Sequence, residues 1–309
     1  MQTLSAAETA RALPYDGLAQ RIASLLRKGG VNVPTRLVPE VSPGARLFVM
    51  PASDGQLAIT KLITLVNANA ERGLPVIQGQ VVVFDAQDGR CLMCLDGPTV
   101  TARRTAAVSL LAAQTLSPRR DGDVLIVGAG VQGQAHLEAF AQGLGLKRFW
   151  VAARRLARAQ QLAQHAQSLG LWAQAVADPH EALPHCDWVL TCTPAQTVCL
   201  HQPPRPGSFV SAVGAYTPQM AEWAAPVCQA LDASACVVVD SRDADHEAGD
   251  WLQAGLSVSH RPTLADVLAQ PVTIGADQTV FFHNCGWGGW DLSAAHCAVG
   301  ATMGKLNPI

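Results

Sequence analysis

The spacing of apolar residues changes along the chain and separates two kinds of region. Up to about Gly30 the apolar positions recur at helical intervals, with a break at Pro14 and an end at Gly29-Gly30. Strand patterns and one Ala- and Leu-rich helix follow, at residues 46–50, 57–66, 80–85 and 101–116. The first third of the chain is therefore predicted to combine helices with a sheet.

From residue 123 onwards short apolar strands alternate with helical segments. The strands are predicted at residues 123–127, 148–152, 172–176, 188–192, 209–212 and 237–240. The helices are predicted at residues 131–144, 156–168 and 291–305. Because parallel strands must be joined by crossover connections, this alternation predicts a parallel sheet covered by helices.

Composition excludes several classes of protein. Of the 309 residues 49% are apolar and 15% are charged, which excludes a disordered chain, and a net charge of −2 without a basic cluster disfavours nucleic-acid binding. No apolar run reaches the roughly 18 residues that span a bilayer, and the N-terminal residues lack the pattern of a secretion signal. The nine cysteines are therefore expected to be reduced thiols in a cytoplasmic enzyme. Cys91 and Cys94 form a CxxC pair, but no second pair completes a metal site.

A glycine-rich loop joins the first strand of the second region to its helix. Gly128, Gly130 and Gly133 form a GxGxxG motif between strand 123–127 and helix 131–144, the context in which this motif binds a dinucleotide. Gly128 permits the tight turn, Gly130 lets the backbone approach the pyrophosphate, and Gly133 lets the helix pack on the strand. The helix N-terminus supplies N–H groups to the phosphates. The loop therefore predicts a nicotinamide dinucleotide site of the Rossmann type.

The end of the second Rossmann strand bears on the choice between NAD and NADP. NAD-binding proteins carry an acidic residue there that binds the ribose 2′-hydroxyl, whereas this chain has Ala152-Ala153-Arg154-Arg155. Arginines pair with a 2′-phosphate that a carboxylate would repel. The predicted cofactor is NADPH, with NADH as the alternative, in which case both arginines form a solvated helix start.

Lys61 lies in an otherwise apolar row of one strand. Alternation along that strand places on one face of the sheet Ile59, Lys61, Ile63 and Leu65. A buried lysine needs an anionic partner, which is either a carboxylate of the protein or the carboxylate of a substrate. Arg46 opens a neighbouring strand, and Arg104 lies in the helix that leads into the Rossmann strand, near the expected interdomain cleft. Taken singly, each arginine is more often a surface residue.

Five positions near the C-terminus have two interpretations each. Asp291 is either the N-cap of the last helix or a catalytic contact. His283 and His296 flank this region and are expected to be structural rather than catalytic. Trp287 and Trp290 lie in a glycine-rich turn, where they either line a substrate pocket or only pack.

The candidate residues belong to longer stretches whose order and spacing are specific. In the first part of the chain these are Arg46, Val49-Met50-Pro51, Lys61, Gln78-Gly79, Leu95-Asp96-Gly97 and residues 101–107 (TARRTAA). In the second part they are residues 128–132 (GAGVQ), 212–215 (AVGA), 239–241 (VDS), 249–250 (GD) and 286–292 (GWGGWDL). In these stretches the chain resembles the ornithine cyclodeaminase/μ-crystallin family over nearly its whole length.

The resemblance implies a fold and a domain organisation. The implied fold is α/β, with a Rossmann doubly wound parallel sheet inserted in an α+β substrate-binding and dimerisation domain. The implied domains are 1–116 with 291–309 for substrate binding and dimerisation, and 117–290 for NADP(H) binding. Members of the family are typically dimers, so a homodimer is expected.

The resemblance also implies site residues. Positions that match Arg46, Lys61 and Arg104 bind the substrate carboxylate in that family, which favours the substrate as a partner of Lys61. Lys61 is in addition the residue expected to tune the proton of an imine substrate. Together with Gly128 and Gly133 of the glycine motif, the implied cofactor contacts are Arg104, Thr105, Gly130, Val131, Gln132, Arg154, Arg155, Thr193 and Val213.

One departure from the family pattern bears on the reaction. Ornithine cyclodeaminases carry an aspartate shortly after the residues that correspond to Gly214-Ala215, where this chain has Tyr216. A phenol of pKa about 10 cannot replace a carboxylate as the partner of an ammonium group at neutral pH. The resemblance therefore implies a ketimine reductase that converts Δ1-pyrroline-2-carboxylate to L-proline, or Δ1-piperideine-2-carboxylate to L-pipecolate. An ornithine cyclodeaminase, an alanine-type dehydrogenase and an NADPH-dependent binding protein like μ-crystallin are the alternatives.

Overall fold

The computed structural model describes residues 1–194 and 197–303, apart from the Ala70 side chain. The chain forms two units, one of Met1–Arg104 together with the segment from Trp287 onwards, the other of Thr105–Gly286. The second unit is thus inserted in the sequence of the first.

A mixed six-stranded sheet forms the first unit with its helices. The elements before the insertion are β1 (Gln2–Thr3), α1 (Ala6–Ala12), α2 (Tyr15–Lys28), β2 (Glu40–Ser42), β3 (Ala45–Ser53), β4 (Leu57–Val66), β5 (Ile77–Asp85) and β6 (Cys91–Asp96). The strand order is β1-β6-β5-β4-β3-β2, and all pairs except β1–β6 are antiparallel. Helix α3 (Gly97–Leu116) follows and carries residues of both units.

The second unit contains a sheet of seven parallel strands. Its elements after α3 are β7 (Asp123–Val127), α4 (Val131–Leu144), β8 (Arg148–Ala152), α5 (Leu156–Ser168), β9 (Trp172–Val176), β10 (Trp188–Thr191), β11 (Phe209–Ala212), α6 (Ala225–Ser234), β12 (Cys236–Val239), α7 (Gly249–Gln253), α8 (Leu264–Ala269) and β13 (Val280–His283). The strand order is β9-β8-β7-β10-β11-β13-β12. The order reverses between β7 and β10, which is the point where doubly wound sheets bind nucleotides.

The last helix, α9 (Gly288–Met303), belongs to the first unit and packs on β3, β4 and α2. Glycines at its start permit a close approach: a Cβ at Gly288 would lie 3.0 Å from Val33 Cγ1, and one at Gly289 would lie 2.0 Å from the Trp287 ring. On one face of β4 the side chains of Leu57, Ile59 and Ile63 are buried, and Lys61 lies in the middle of this apolar row.

Most of the predicted elements are confirmed, and several have the predicted bounds. These are the strands 57–66, 123–127, 148–152, 172–176 and 209–212, and the helices 131–144 and 156–168. The α/β class with a Rossmann parallel sheet is confirmed as well. Strand β13 was not predicted, because it contains only three apolar residues, followed by His283, and shows no alternation.

The predicted start of the last helix at Asp291 is wrong. The helix begins at Gly288, because Gly288 and Gly289 pack in its first turn instead of forming a loop. Lys305, where the helix was predicted to end, lies outside the described residues.

Three properties of the described ranges bear on the predicted class of protein. None of their helices is long and apolar enough to cross a membrane. No group of three or more His, Cys, Asp or Glu side chains within residues 1–194 and 197–303 has an arrangement that holds a metal ion. The cysteines are free thiols, with Cys94 buried and Cys91 half-buried in β6.

Candidate active site

Asp291 joins Lys61 and Arg104 in the interior of the first unit. Lys61 Nζ lies 2.8 Å from Asp291 Oδ2, and Arg104 Nε donates to Asp291 Oδ1 at 3.2 Å. Asp291 is fully buried, and only 1% of Lys61 and 5% of Arg104 is exposed. The three side chains come from α9, β4 and α3. A carboxylate of the protein is therefore a partner of Lys61, and the N-cap interpretation of Asp291 is wrong.

The cluster of Lys61, Arg104 and Asp291 carries a net positive charge, because two cations share one carboxylate. Burial lowers the pKa of Lys61 to about 8; Asp291 opposes this shift, while the positive charges of Arg104 and the half-buried Arg36 add to it. At neutral pH Lys61 is therefore largely protonated, yet it releases its proton far more readily than an ordinary lysine.

Arg46 does not join this cluster. The register of β3 on β4 pairs Met50 with Lys61 and Arg46 with Leu65. Arg46 thus lies on the same face of the sheet but about 13 Å further along, at about 3.3 Å per residue. It is exposed, in contrast to Lys61. Of the three predicted carboxylate-binding residues, the structure brings Lys61 and Arg104 together and leaves Arg46 at the exposed end of the face.

The glycine loop of the second unit has a geometry that suits a diphosphate. Gly128 has a φ of +117°, and a Cβ there would lie 2.4 Å from Cys192 O. A Cβ at Gly133 would lie 1.9 Å from Gly128 O. A Cβ at Gly130, the N-cap of α4, would instead meet no described atom within 4 Å. Two glycines are therefore required by close packing, and the third faces open space where the first turn of α4 presents its N–H groups.

A buried histidine fixes that first turn. His136 Nδ1 donates to Gln132 O at 2.8 Å, and His136 Nε2 accepts from the Ser109 hydroxyl at 2.9 Å. Burial lowers the pKa of His136 to about 4, so the ring is neutral at physiological pH. The turn that carries the exposed Val131 and the half-buried Gln132 is thus held by a hydrogen bond chain to α3.

Arg154 and Arg155 follow β8 at the same edge of the sheet. The N–H of Gly128 donates to Ala152 O at 2.8 Å, which fixes the end of β8 beside the glycine loop. Both arginines are exposed, and Arg155 is the N-cap of α5. Within residues 1–194 and 197–303 neither guanidinium has an ion-pair partner.

Thr193 and Val213 follow β10 and β11, the next strands beyond the switch point. The N–H of Val213 donates to Thr191 O at 2.9 Å, so the ladder continues past the strand ends. The N–H of Thr193 donates to the carboxylate of Glu222 at 2.7 Å. Thr105 is buried in α3, and its C=O accepts from Asn284 Nδ2 at 2.9 Å. The predicted cofactor residues outside α3 thus follow the carboxyl ends of neighbouring parallel strands.

The remaining candidates have packing or ion-pair partners. His283 is buried among aromatic rings, and burial lowers its pKa to about 3. His296 Nε2 lies 2.9 Å from Asp54 Oδ2 in the first unit. Trp287 and Trp290 pack edge to face with ring centroids 4.9 Å apart.

Comparison with known proteins decides the family. The model of the ornithine cyclodeaminase/mu-crystallin family matches residues 10–298. The chain belongs to this family. Delta(1)-pyrroline-2-carboxylate reductase 1 of Burkholderia multivorans is 37% identical over 95% of this chain and 93% of its own. The Delta(1)-pyrroline-2-carboxylate/Delta(1)-piperideine-2-carboxylate reductase of Azospirillum brasilense is 36% identical with the same coverage.

A solved structure has the same fold as the present chain. The Delta(1)-pyrroline-2-carboxylate reductase of Thermococcus litoralis, in complex with NADH and L-proline, superposes with a TM-score of 0.89. The two chains are 22% identical, and the match covers 98% of each. At this identity the likeness confirms the fold.

Tyr216 was singled out from the sequence, whereas Arg36 and Glu222 were missed. Tyr216, the departure from the cyclodeaminase pattern, is half-buried and packs against the core of the second unit. The positive charge of Arg36 helps to lower the pKa of Lys61. Arg36 lies in an irregular segment before β2, where no sequence pattern identifies it. Glu222 lies in the connection between β11 and α6 and accepts a hydrogen bond from the N–H of Thr193. No motif in the sequence identifies Glu222 as a site residue.

We expect the binding of a carboxylate ligand at the Lys61 cluster to weaken as the pH rises through about 8. Below that pH Lys61 is charged, and the two cations exceed the charge of Asp291; above it the ammonium charge is lost. Because one proton is linked to binding, the loss should approach about tenfold per pH unit. Equilibrium titration with pyrrole-2-carboxylate, whose charge is constant between about pH 6 and 10, measures this dependence.

Lys61→Met is the matched control, because it keeps a long side chain and removes the charge. Its binding should be weaker and independent of pH over the same range. A variant that kept the wild-type pH dependence would assign the titration to another group.

Proposed function

We propose that this protein is an NADPH-dependent reductase of cyclic imino acids, which converts Δ1-pyrroline-2-carboxylate to L-proline and Δ1-piperideine-2-carboxylate to L-pipecolate. The observation that carries the proposal is the buried cluster of Lys61, Arg104 and Asp291, whose two cations exceed its one anion. A site of this charge favours a small carboxylate. Two relatives that share more than a third of their residues with this chain are named for these substrates.

The glycine loop supports a nicotinamide dinucleotide as the cofactor. The open space at Gly130, in front of the first turn of α4, is where the pyrophosphate would lie. The residues proposed to hold the cofactor are Arg104, Thr105, Gly128, Gly130, Val131, Gln132, Gly133, Arg154, Arg155, Thr193 and Val213. The bound cofactor would supply a hydride.

The substrate carboxylate is proposed to bind to Lys61 and Arg104, with Arg46 as an outer cation on the same sheet face. A lysine has three N–H donors and an arginine has five, and Asp291 takes one from each. The other donors suit charge-assisted hydrogen bonds to a second carboxylate. Because Lys61 and Arg104 are almost completely buried, only the carboxylate group would reach them, and the ring would lie further out.

Binding through the carboxylate orients the imine carbon next to it. Hydride addition to this carbon gives a secondary amine only if the ring nitrogen also carries a proton. Lys61 holds a proton at neutral pH and releases it near pH 8, so we assign to it the tuning of the imine proton, directly or through water. Asp291 would act as a positioning residue that keeps Lys61 charged and in place.

We also propose that the protein is a homodimer. Support comes from the sheet face opposite to that of Lys61, where Leu62 is 38% exposed and its neighbours Leu47, Val49 and Val82 are half-buried. A second copy of the chain would cover these apolar side chains, which lie among Thr60, Thr64 and Gln80.

NADPH absorbance separates the reductase from its alternatives. We expect oxidation of NADPH with Δ1-pyrroline-2-carboxylate or Δ1-piperideine-2-carboxylate in the absence of ammonia, because the imine is already formed. An alanine-type dehydrogenase would need ammonia and an open-chain 2-oxo acid. A cyclodeaminase would release ammonia from ornithine without net consumption of cofactor. Binding of NADPH without turnover of either imine would contradict the proposal and leave a binding protein.

Replacing Arg154 and Arg155 together by Gln should weaken NADPH binding and spare NADH binding. Hydrogen bonds to charged groups contribute about 1.5–3 kcal/mol, so the dissociation constant of NADPH should rise about 10- to 100-fold. Fluorescence titration with both cofactors measures the ratio. Arg158→Gln, an exposed arginine further along α5, is the matched control and should leave both affinities unchanged. Equal losses for NADPH and NADH would show that the arginines do not contact the 2′-phosphate.

A further inference from the structure

Glu222 is a fully buried carboxylate in the connection between β11 and α6. No Lys, Arg or His lies within ion-pair distance of it in the part of the chain that the structure describes. Burial raises its pKa. Without a cation, such a group depends on hydrogen-bond donors to replace its hydration.

Four donors surround the Glu222 carboxylate. Oε1 accepts from the N–H of Thr193 at 2.7 Å and from its hydroxyl at 2.8 Å. Oε2 accepts from the Thr191 hydroxyl at 2.7 Å and from the N–H of Gly214 at 2.9 Å. Thr191 ends β10, and Gly214 follows β11. One carboxylate therefore joins the carboxyl ends of two neighbouring parallel strands.

The fit between Glu222 and these segments is close. A Cβ at Gly214 would lie 2.4 Å from Glu222 Oε1 and 2.4 Å from Thr193 O. A glycine is therefore required at 214, so that the carboxylate reaches both backbones.

Asp250 fixes the backbone of Glu222. Its Oδ1 accepts from the N–H of Glu222 at 2.6 Å and from the N–H of Trp223 at 2.9 Å. Burial, together with the negative charge of Glu222, raises the pKa of Asp250 to about 7. Since Glu222 receives four donors, it is the better site for the charge, and Asp250 is the better site for a proton.

We propose that Glu222 is a positioning residue for the cofactor, holding the segments after β10 and β11 in the arrangement that receives its nicotinamide half. The inference rests on the proposed function. In a doubly wound sheet the second set of strands, which begins at β10, binds the second mononucleotide at its carboxyl ends. Glu222 accepts hydrogen bonds from the N–H groups of Thr193 and Gly214. Thr193 is itself proposed to contact the cofactor, and Gly214 directly follows Val213, the second proposed contact.

The two acids differ in what an amide replacement would do. In Glu222→Gln the oxygen retains one pair of donors, and the NH2 group then opposes the N–H of either Thr193 or Gly214, which loses its acceptor. In Asp250→Asn the amide oxygen retains both donors of Oδ1, and Oδ2 has no hydrogen-bond partner among the described residues. The second variant is therefore a matched control for removing a buried acid.

The experiment is an equilibrium titration of the full-length protein with NADPH, followed by fluorescence, with thermal unfolding of each variant. Glu222→Gln should weaken NADPH binding at least about tenfold, the effect of about 1.4 kcal/mol. Asp250→Asn should stay within about threefold of the wild type. Binding of pyrrole-2-carboxylate at the Lys61 cluster should be the same in all three proteins, which a general loss of structure would not allow.

Wild-type NADPH affinity in a folded Glu222→Gln protein would overturn the inference and leave the proposed function intact. A wild-type protein that binds neither NADPH nor NADH would overturn the proposed function itself. If Glu222→Gln does not fold, Thr191→Val decides, because it removes one donor from Oε2 at nearly constant volume. It should weaken NADPH binding by a few-fold, and an unchanged affinity would again overturn the inference.

Discussion

The ion pairs of Asp291 with Lys61 and Arg104 constrain both the core of the first unit and its chemistry. A charge inside a protein costs several kcal/mol unless a partner compensates it, and removing one partner of a buried pair costs about 3–5 kcal/mol. Asp291 therefore makes it feasible to bury Lys61 in the middle of an apolar strand. It also ties together α9, β4 and α3, which are far apart in sequence. The cation in excess is what a substrate carboxylate would bind.

The second unit also buries a carboxylate, that of Glu222, and compensates its lost hydration with hydrogen bonds alone. Glu222 is as deeply buried as Asp291, but its donors are two threonines and a glycine N–H rather than cations. The first carboxylate thus holds two cationic side chains in place, whereas the second holds backbone segments. The difference follows from position, because Glu222 lies at the carboxyl ends of parallel strands, where backbone N–H groups extend beyond the ladder.

Much of the fold follows from the sequence, because most strands of the Rossmann sheet are short, largely apolar runs bounded by turn residues. The glycine motif was informative because it stands between a predicted strand and a predicted helix. The structure adds the contacts that require two of its glycines: a Cβ at Gly128 would meet Cys192, and one at Gly133 would meet Gly128. Strand β13 was not predicted, since three apolar residues and a histidine are too few to show a period. The start of α9 escaped it because glycines there pack against the sheet and a Trp ring, although glycine usually indicates a loop.

A candidate site residue could be predicted from the sequence only where the pattern of a single strand or helix makes it stand out. Lys61 stands out within β4, since a charge breaks an apolar row. The sequence places Asp291 near a helix start, but its partners Lys61 and Arg104 lie in other elements. Glu222 and Arg36 lie in irregular connections, so no spacing reveals that the fold brings them to Thr193 and Lys61. Arg46 was predicted only to open a neighbouring strand, and both its face and its distance from Lys61 required the register of β3 on β4.

The most direct test of this account is the pKa of Lys61, measured by NMR on protein labelled with ¹³C at the lysine Cε. The chain has four lysines, and the signal that disappears in Lys61→Met assigns the resonance. We expect a pKa of about 8 in the wild-type protein and a lower value in Asp291→Asn, because the carboxylate that raises it is removed. A pKa near the ordinary 10.5, or one that Asp291→Asn leaves unchanged, would show that Lys61 is not a buried lysine held by Asp291.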